Sequence, residues 1–257
     1  MEDQYRAVRF PRSIGALAVV AVGFAVMLPL LSRGSSHTLV RTVTLKPTAD
    51  ATFFDNDPIT AGHFTVRGNE SVLIAGQTIS SGGAVPRVHT VSVPLLKFNI
   101  ETLRERYVPR AAQVAEATLV LRQVDEIGWG RITLVARPLT EEFLEVPVYE
   151  RPLWNNSAAP VTERYTSGSD TVHFTNFDQD RRFDVTTIVR AWMSGDIPNH
   201  GLALVKPEPY NSDNSNHSAL ALYSRESSRT NLIQDWGTGL SPKLEITYFT
   251  RPPLPTP

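Results

Sequence analysis

Alternating apolar and polar positions dominate the chain after residue 41, and this period-2 pattern predicts β-strands. Turn-forming Gly, Pro, Asn and Asp separate the runs, which lie at 42–47, 50–55, 71–76, 88–100, 117–124, 131–138, 171–177, 201–207, 219–226 and 243–249. Strands and helices do not alternate along the chain, so a parallel α/β sheet is not expected. The pattern therefore predicts an all-β domain, either an antiparallel β-sandwich or a barrel.

Two segments interrupt the strand pattern with helical features. The first, 100–107, is short and charged. In the second, 184–195, the apolar residues recur at helical spacing, and Gly195 supplies a stop signal. Asp184 or Thr186 can cap the start of this helix. We expect 184–195 to form one short surface helix that closes an end of the β-domain.

An uncharged apolar run at 13–32 is long enough to cross a bilayer as a helix. Arg6, Arg9 and Arg12 precede it, which predicts a cytoplasmic N-terminus and an extracytoplasmic remainder. A cleaved signal peptide is the alternative, although such peptides have a shorter apolar region and a small-residue exit. We favour a retained signal anchor; cleavage would instead release a secreted protein.

These features divide the chain into five segments. Residues 1–12 are expected in the cytoplasm, 13–32 in the membrane, 33–41 in a linker, 42–250 in the β-domain, and 251–257 in a Pro-rich tail.

Composition excludes several functional classes. The chain has 25 basic and 26 acidic residues, and the resulting net charge of −1 provides no basic face for nucleic acid. It contains no cysteine, which excludes disulfides, thiolate metal sites and cysteine nucleophiles. Neither a zinc-hydrolase HExxH spacing nor a G-x-S-x-G nucleophile elbow occurs. We therefore assign no catalytic residues and expect no enzymatic activity.

Aromatic side chains in polar segments are the candidates for ligand binding. Sugar rings stack on exposed aromatic rings that planar polar groups frame. Trp129 lies between two glycines at a predicted turn, and Trp236 lies in a polar loop. Trp154 and Tyr210 complete the candidate set, while structural roles remain the alternative for Trp154 in particular.

Acidic side chains in the predicted loops are candidates for a structural calcium ion, which requires several oxygen ligands. The candidates are Asp50, Asp184 and Asp213, the last in an Asn- and Asp-rich segment at 211–216. The alternative is that these side chains only form turns.

An ordered series of motifs resembles the DNRLRE-type domains, a group partly classed among carbohydrate-binding modules and related to disaggregatase repeats. The motifs are LKPTADATF at 45–53, LLKFNI at 95–100, ATLVLRQV at 117–124, TEEFLEVPVYERPLWNNSAAP at 140–160, the stretch 182–207, LALYSRESS at 220–228 and PKLEITY at 242–248. This resemblance implies an antiparallel jelly-roll β-sandwich. Together with the helices predicted above, the expected fold is such a sandwich with one short helix, preceded by a single N-terminal transmembrane helix.

The resemblance and the predicted anchor together lead to a functional expectation. We expect a membrane-anchored, extracytoplasmic, non-catalytic module that binds polysaccharide or cell-envelope glycan. The alternative is a structural or assembly subunit of a surface complex, in which envelope proteins are the partners.

Overall fold

The structure is a computed structural model of the chain. The chain divides into two units, Met1–Ser36 and His37–Pro257, and all described residues belong to the second unit. The predicted cytoplasmic segment, anchor and Pro-rich tail thus lie outside the described part, and within it neither helix has the length and apolar character to cross a membrane. The described residues are 39–55, 64–68, 70–80, 88–106, 110–128, 131–145, 159–173, 179–207, 217–229 and 240–250.

The described part is mostly antiparallel β-sheet with two short helices, which confirms the all-β prediction. Short 3₁₀ turns occur at Ala111–Gln113 and Arg225–Arg229. The strands are β1 (Leu39–Leu45), β2 (Pro47–Asp55), β3 (Phe64–Arg67), β4 (Val72–Ser80), β5 (Val88–Phe98), β6 (Val114–Gly128), β7 (Arg131–Pro138), β8 (Asp170–His173), β9 (Asp180–Asp184), β10 (Leu202–Val205), β11 (Ser218–Tyr223) and β12 (Lys243–Thr250), and the helices are α1 (Ile100–Arg106) and α2 (Thr186–Ser194).

Strand β6 joins two groups of strands into a sandwich-like arrangement. Its first part pairs with β12 and β9, and β12 in turn pairs with β1. Its last part pairs with β11, and the sheet continues through β4 to β5. One edge of β5 also carries β10, which leads to β7 and β8, while β2 and then β3 lie on its other edge. Every one of these pairings is antiparallel.

Two hydrophobic clusters stabilise this arrangement. The larger contains fully buried side chains from both groups of strands, including Phe98, Leu119 and Phe183. The smaller packs Phe53 of β2 against neighbours that include Phe143, a residue of the segment after β7. Apolar contacts therefore hold the segment after β7 against the sheet as far as Phe143, two residues before Glu145.

Helix α2 forms where the apolar spacing predicts it. Asp184 lies just before the helix, and its Oδ1 accepts hydrogen bonds from the Thr186 backbone N–H (3.0 Å) and hydroxyl (2.6 Å). Gly195 ends the helix in the left-handed conformation, with φ of 81°. Trp192 is buried, as its position on the apolar face implies.

Two elements differ from the fold prediction: α1 forms in the charged segment 100–107, which already showed helical features, and β9 forms where the sequence carries no strand signal. The fold prediction of one short helix is wrong, because α1 is a second: Ile100 and Leu103 are buried, and Asn99 accepts a hydrogen bond from the Thr102 N–H. Strand β9 escapes detection because a polar residue, Arg181, occupies a buried position and donates to the buried Gln123. Polar residues at buried positions remove the alternation that identifies a strand.

Candidate functional site

Three acidic side chains surround one arginine in a buried cluster that we call the Arg225 cluster: Arg225, Asp50, Glu145 and Glu226. Nη2 of Arg225 contacts both carboxylate oxygens of Glu145 at 2.7 Å, and its Nε donates to Oε1 of Glu226 at 2.8 Å. The backbone N–H of Arg225 donates to Oδ2 of Asp50 at 2.6 Å. Asp50 and Glu226 are 1% and 4% exposed, so these two carboxyl groups interact largely out of contact with water.

Three distant parts of the chain supply this cluster. Asp50 lies in β2, Glu145 follows the fixed segment after β7, and Arg225 and Glu226 begin the 3₁₀ turn after β11. Gly68 makes room for Glu145, since a Cβ atom at Gly68 would lie 2.5 Å from Cγ of Glu145. The cluster thus ties β2, the end of the β7 segment and the 3₁₀ turn together.

Burial raises the pKa of Asp50 to about 8. The Arg225 N–H works in the opposite direction, whereas a hydrogen bond with Glu226 and the negative charges of Glu226 and Glu145 raise the Asp50 pKa further. Burial also raises the pKa of Glu145, although the Arg225 charge opposes the rise. A hydrogen bond between two carboxyl groups requires a proton on one of them. With a pKa of about 8, Asp50 carries this proton at neutral pH.

The same four groups limit the chemistry of the cluster. One carboxylate oxygen from each of Asp50, Glu145 and Glu226 lies within 4.8 Å of the other two, a spacing that could hold a metal ion. Arg225, however, already supplies a positive charge to Glu145 and Glu226. A carboxyl group as buried as that of Asp50 also presents little surface to a substrate. The arrangement is therefore that of a structural network of ion pairs and hydrogen bonds.

The two described calcium candidates, Asp50 and Asp184, have different partners in the structure. Asp50 belongs to the Arg225 cluster, whereas Asp184 accepts hydrogen bonds at the start of α2. Asp213 lies outside the described residues. Calcium binding stays a prediction, with Glu145 and Glu226 as the additional ligands that the structure brings close to Asp50.

All four aromatic candidates, Trp129, Trp154, Tyr210 and Trp236, lie outside the described residues. Their role in ligand binding stays a prediction. A different aromatic side chain, Tyr165, lines an open groove of about 600 Å³ in the described part. Its signal in the sequence is an aromatic residue within the polar run TERYTSG at 162–168, a composition typical of a turn.

We call this cavity the α2 groove, because helix α2 forms one wall. Thr187, Arg190, Ala191 and Ser194 are spaced i, i+3, i+4 and i+7, so they share one helix face, while the opposite face packs into the core. The other lining residues are Ala111, Arg164, Tyr165, Thr166 and Asp196. A volume of this size falls in the range of small-ligand sites.

Hydrogen bonds fix the polar groups of the α2 groove. The Arg190 guanidinium donates to the Val114 carbonyl oxygen through Nε (3.0 Å) and Nη2 (2.6 Å). The turn that carries Tyr165 is anchored to β7, because Ser167 Oγ accepts from the Ala136 N–H at 2.8 Å. Arg164 lies over the Tyr165 ring, with Cζ 5.0 Å from the ring centroid. The groove therefore presents an aromatic ring, guanidinium groups and hydroxyls in a preorganised arrangement.

No family model matches the chain, and no curated protein matches it.

Proposed function

We propose that this protein is a membrane-anchored, extracytoplasmic and non-catalytic binding module for polysaccharide or cell-envelope glycan. Its β-domain is proposed to be a jelly-roll β-sandwich of the DNRLRE type, held at the membrane by residues 13–32. The α2 groove is proposed to form part of the glycan site.

The observation that carries this proposal is the composition of the α2 groove. Sugars are bound by an aromatic ring together with planar or hydroxyl hydrogen-bonding groups, and the groove combines Tyr165 with Arg164, Thr166 and Ser194. Because hydrogen bonds already fix Arg190 and the Tyr165 turn, binding requires little reordering of these groups. The antiparallel fold and the uncharged run at 13–32 are consistent with a surface-exposed module.

Glycan-array screening of the full chain in detergent, followed by titration of each retained polysaccharide, tests the proposal. We expect Tyr165→Ala to weaken binding about tenfold, which corresponds to about 1.4 kcal/mol. Tyr223→Ala is the matched control, because Tyr223 is also half-buried but does not line the groove.

The variants Trp129→Ala and Trp236→Ala test the aromatic residues proposed from the sequence. Loss of binding in these variants, with Tyr165→Ala unaffected, would move the site away from the groove. If the chain retains no polysaccharide, the module proposal fails. Crosslinking on intact membranes would then test the alternative of an assembly subunit.

A further inference from the structure

Large apolar side chains are exposed at one end of the β1–β12 pair. Four such side chains occur among the described residues, and three of them, Leu39, Val40 and Phe249, lie at this end with exposures of 54%, 58% and 42%. We call this set the β1–β12 tip. The fourth, Leu144, is 56% exposed and lies in the segment after β7.

The strand register brings Val40 and Phe249 together on one face of the sheet, whereas Leu39 lies on the opposite face at the same end of the pair. Val40 is paired with Phe249, so the two side chains share the outer face of the sheet. The next pair on this face is Thr42 and Thr247, whose hydroxyl oxygens lie 3.1 Å apart. The outer face is therefore polar along the strands and becomes apolar only at the tip.

The position of the tip in the chain indicates what covers it. Strand β1 begins at Leu39, seven residues after Ser32, the last residue of the uncharged apolar run. Seven residues span at most about 25 Å when fully extended. If 13–32 lies in a bilayer, as the proposed function requires, the tip is tethered close to the membrane surface.

The size and charge of the tip favour lipid over a protein partner. Three partly exposed side chains offer on the order of 300 Å², whereas a stable protein interface needs about 800 Å² from each partner. Arg41 is exposed beside the tip, so an anionic headgroup would find a cationic partner there.

We propose that the β1–β12 tip inserts into the headgroup region of the bilayer that holds the anchor, and so fixes the orientation of the β-domain on the membrane. This inference rests on the membrane anchor in the proposed function. It assigns to Leu39, Val40 and Phe249 a lipid contact that a glycan-binding site does not require.

The absence of cysteine allows a direct test in the full chain. Val40→Cys and Phe249→Cys are each labelled with an environment-sensitive fluorophore, and Leu144→Cys is the matched control because Leu144 is equally exposed. The labelled chains are reconstituted into phosphatidylcholine–phosphatidylglycerol vesicles. Quenching is measured with nitroxide lipids and with aqueous iodide, and circular dichroism verifies the fold of each variant.

We expect labels at positions 40 and 249 to show blue-shifted emission, strong quenching by nitroxide lipids and protection from iodide, with the reverse at position 144. Labels at 40 and 249 that behave like the control would overturn the inference. Blue-shifted emission without lipid quenching would also overturn it, in favour of a second copy or the 251–257 tail as the occupant. Vesicle flotation separates the two proposals: a chain that does not float refutes the anchor and the tip contact together, whereas a floating chain with water-exposed labels refutes only the tip contact.

Discussion

The Arg225 cluster makes the stability of the β-domain depend on pH through Asp50. In the unfolded chain this carboxyl titrates near the ordinary aspartate pKa of 3.8, whereas in the folded chain burial raises its pKa to about 8. At a pH between these two pKa values, Asp50 takes up a proton when the chain folds. The free energy of unfolding therefore falls as the pH rises, and the stabilisation is greatest below the unfolded pKa.

The size of this effect follows from the linkage relation. At pH values between the unfolded and the folded pKa, one such carboxyl changes the free energy of unfolding by about 1.4 kcal/mol per pH unit. From about pH 5.5 to 7.5 the free energy of unfolding therefore falls by about 2–3 kcal/mol. The raised pKa of Glu145 acts in the same direction. The Asp50 contribution must therefore be isolated by substitution.

Asp50→Asn isolates this contribution because asparagine imitates the protonated carboxyl. Its amide oxygen can accept from the Arg225 N–H, and its amide nitrogen can donate to Glu226. We expect the variant to be about as stable as the parent near pH 5.5 and to be the more stable protein near pH 7.5, because it loses no proton.

Urea unfolding of the full chain in one nonionic detergent, followed by tryptophan fluorescence, measures both proteins across this pH range. Parent and variant share every other titratable group, so the difference between the two slopes reports Asp50. Asp180→Asn, which alters an exposed carboxylate paired with Arg122, is the control and should retain the parental slope. An Asp50→Asn slope equal to that of the parent would refute the reasoning.

Three further substitutions test other parts of the structure by thermal and urea unfolding. Arg225→Met removes the positive charge from the cluster and should lower the free energy of unfolding by about 2–4 kcal/mol. Calcium should stabilise this variant more than the parent, because the variant leaves the cation position empty. An equal response to calcium would contradict this view of the arginine. Thr186→Val removes buried hydrogen bonds and should cost about 1–3 kcal/mol, whereas the exposed Thr187→Val should be near neutral. Gly195→Ala should lower the free energy of unfolding by about 1 kcal/mol, because Gly195 has a left-handed φ although a Cβ atom there meets no other atom. Gly168→Ala is the control, since a Cβ atom also fits there and the φ is not left-handed, and it should have no such effect. Equal effects of the two substitutions would argue against the helix-end explanation.

Much of the fold could be predicted because its main elements have local signals. Strand β7 coincides with the predicted 131–138 run, and α2 lies within the predicted 184–195 segment. Each signal depends on which face of an element is apolar, and the sequence records that directly.

The Arg225 cluster could not be predicted in the same way, because its members are far apart in the chain. Arg225 is 175 positions from Asp50 and 80 from Glu145. A clue was available at Asp50, a charged residue between two alanines of a predicted strand, but such a residue does not reveal its partners. Tyr165 was missed for a related reason: its turn is held by Ser167 and β7 through tertiary hydrogen bonds that the local sequence does not specify.

The position of strand β6 between two groups of strands determines how this protein unfolds. It hydrogen-bonds to β12 and β9 along its first part and to β11 along its last part, so β6 is a member of both groups of strands. Neither group can detach without exposing an edge of β6 and uncovering apolar side chains of the larger core cluster. Melting should therefore be all-or-none across the two groups, and the amide protons at the centre of β6 should be among the slowest to exchange with deuterium.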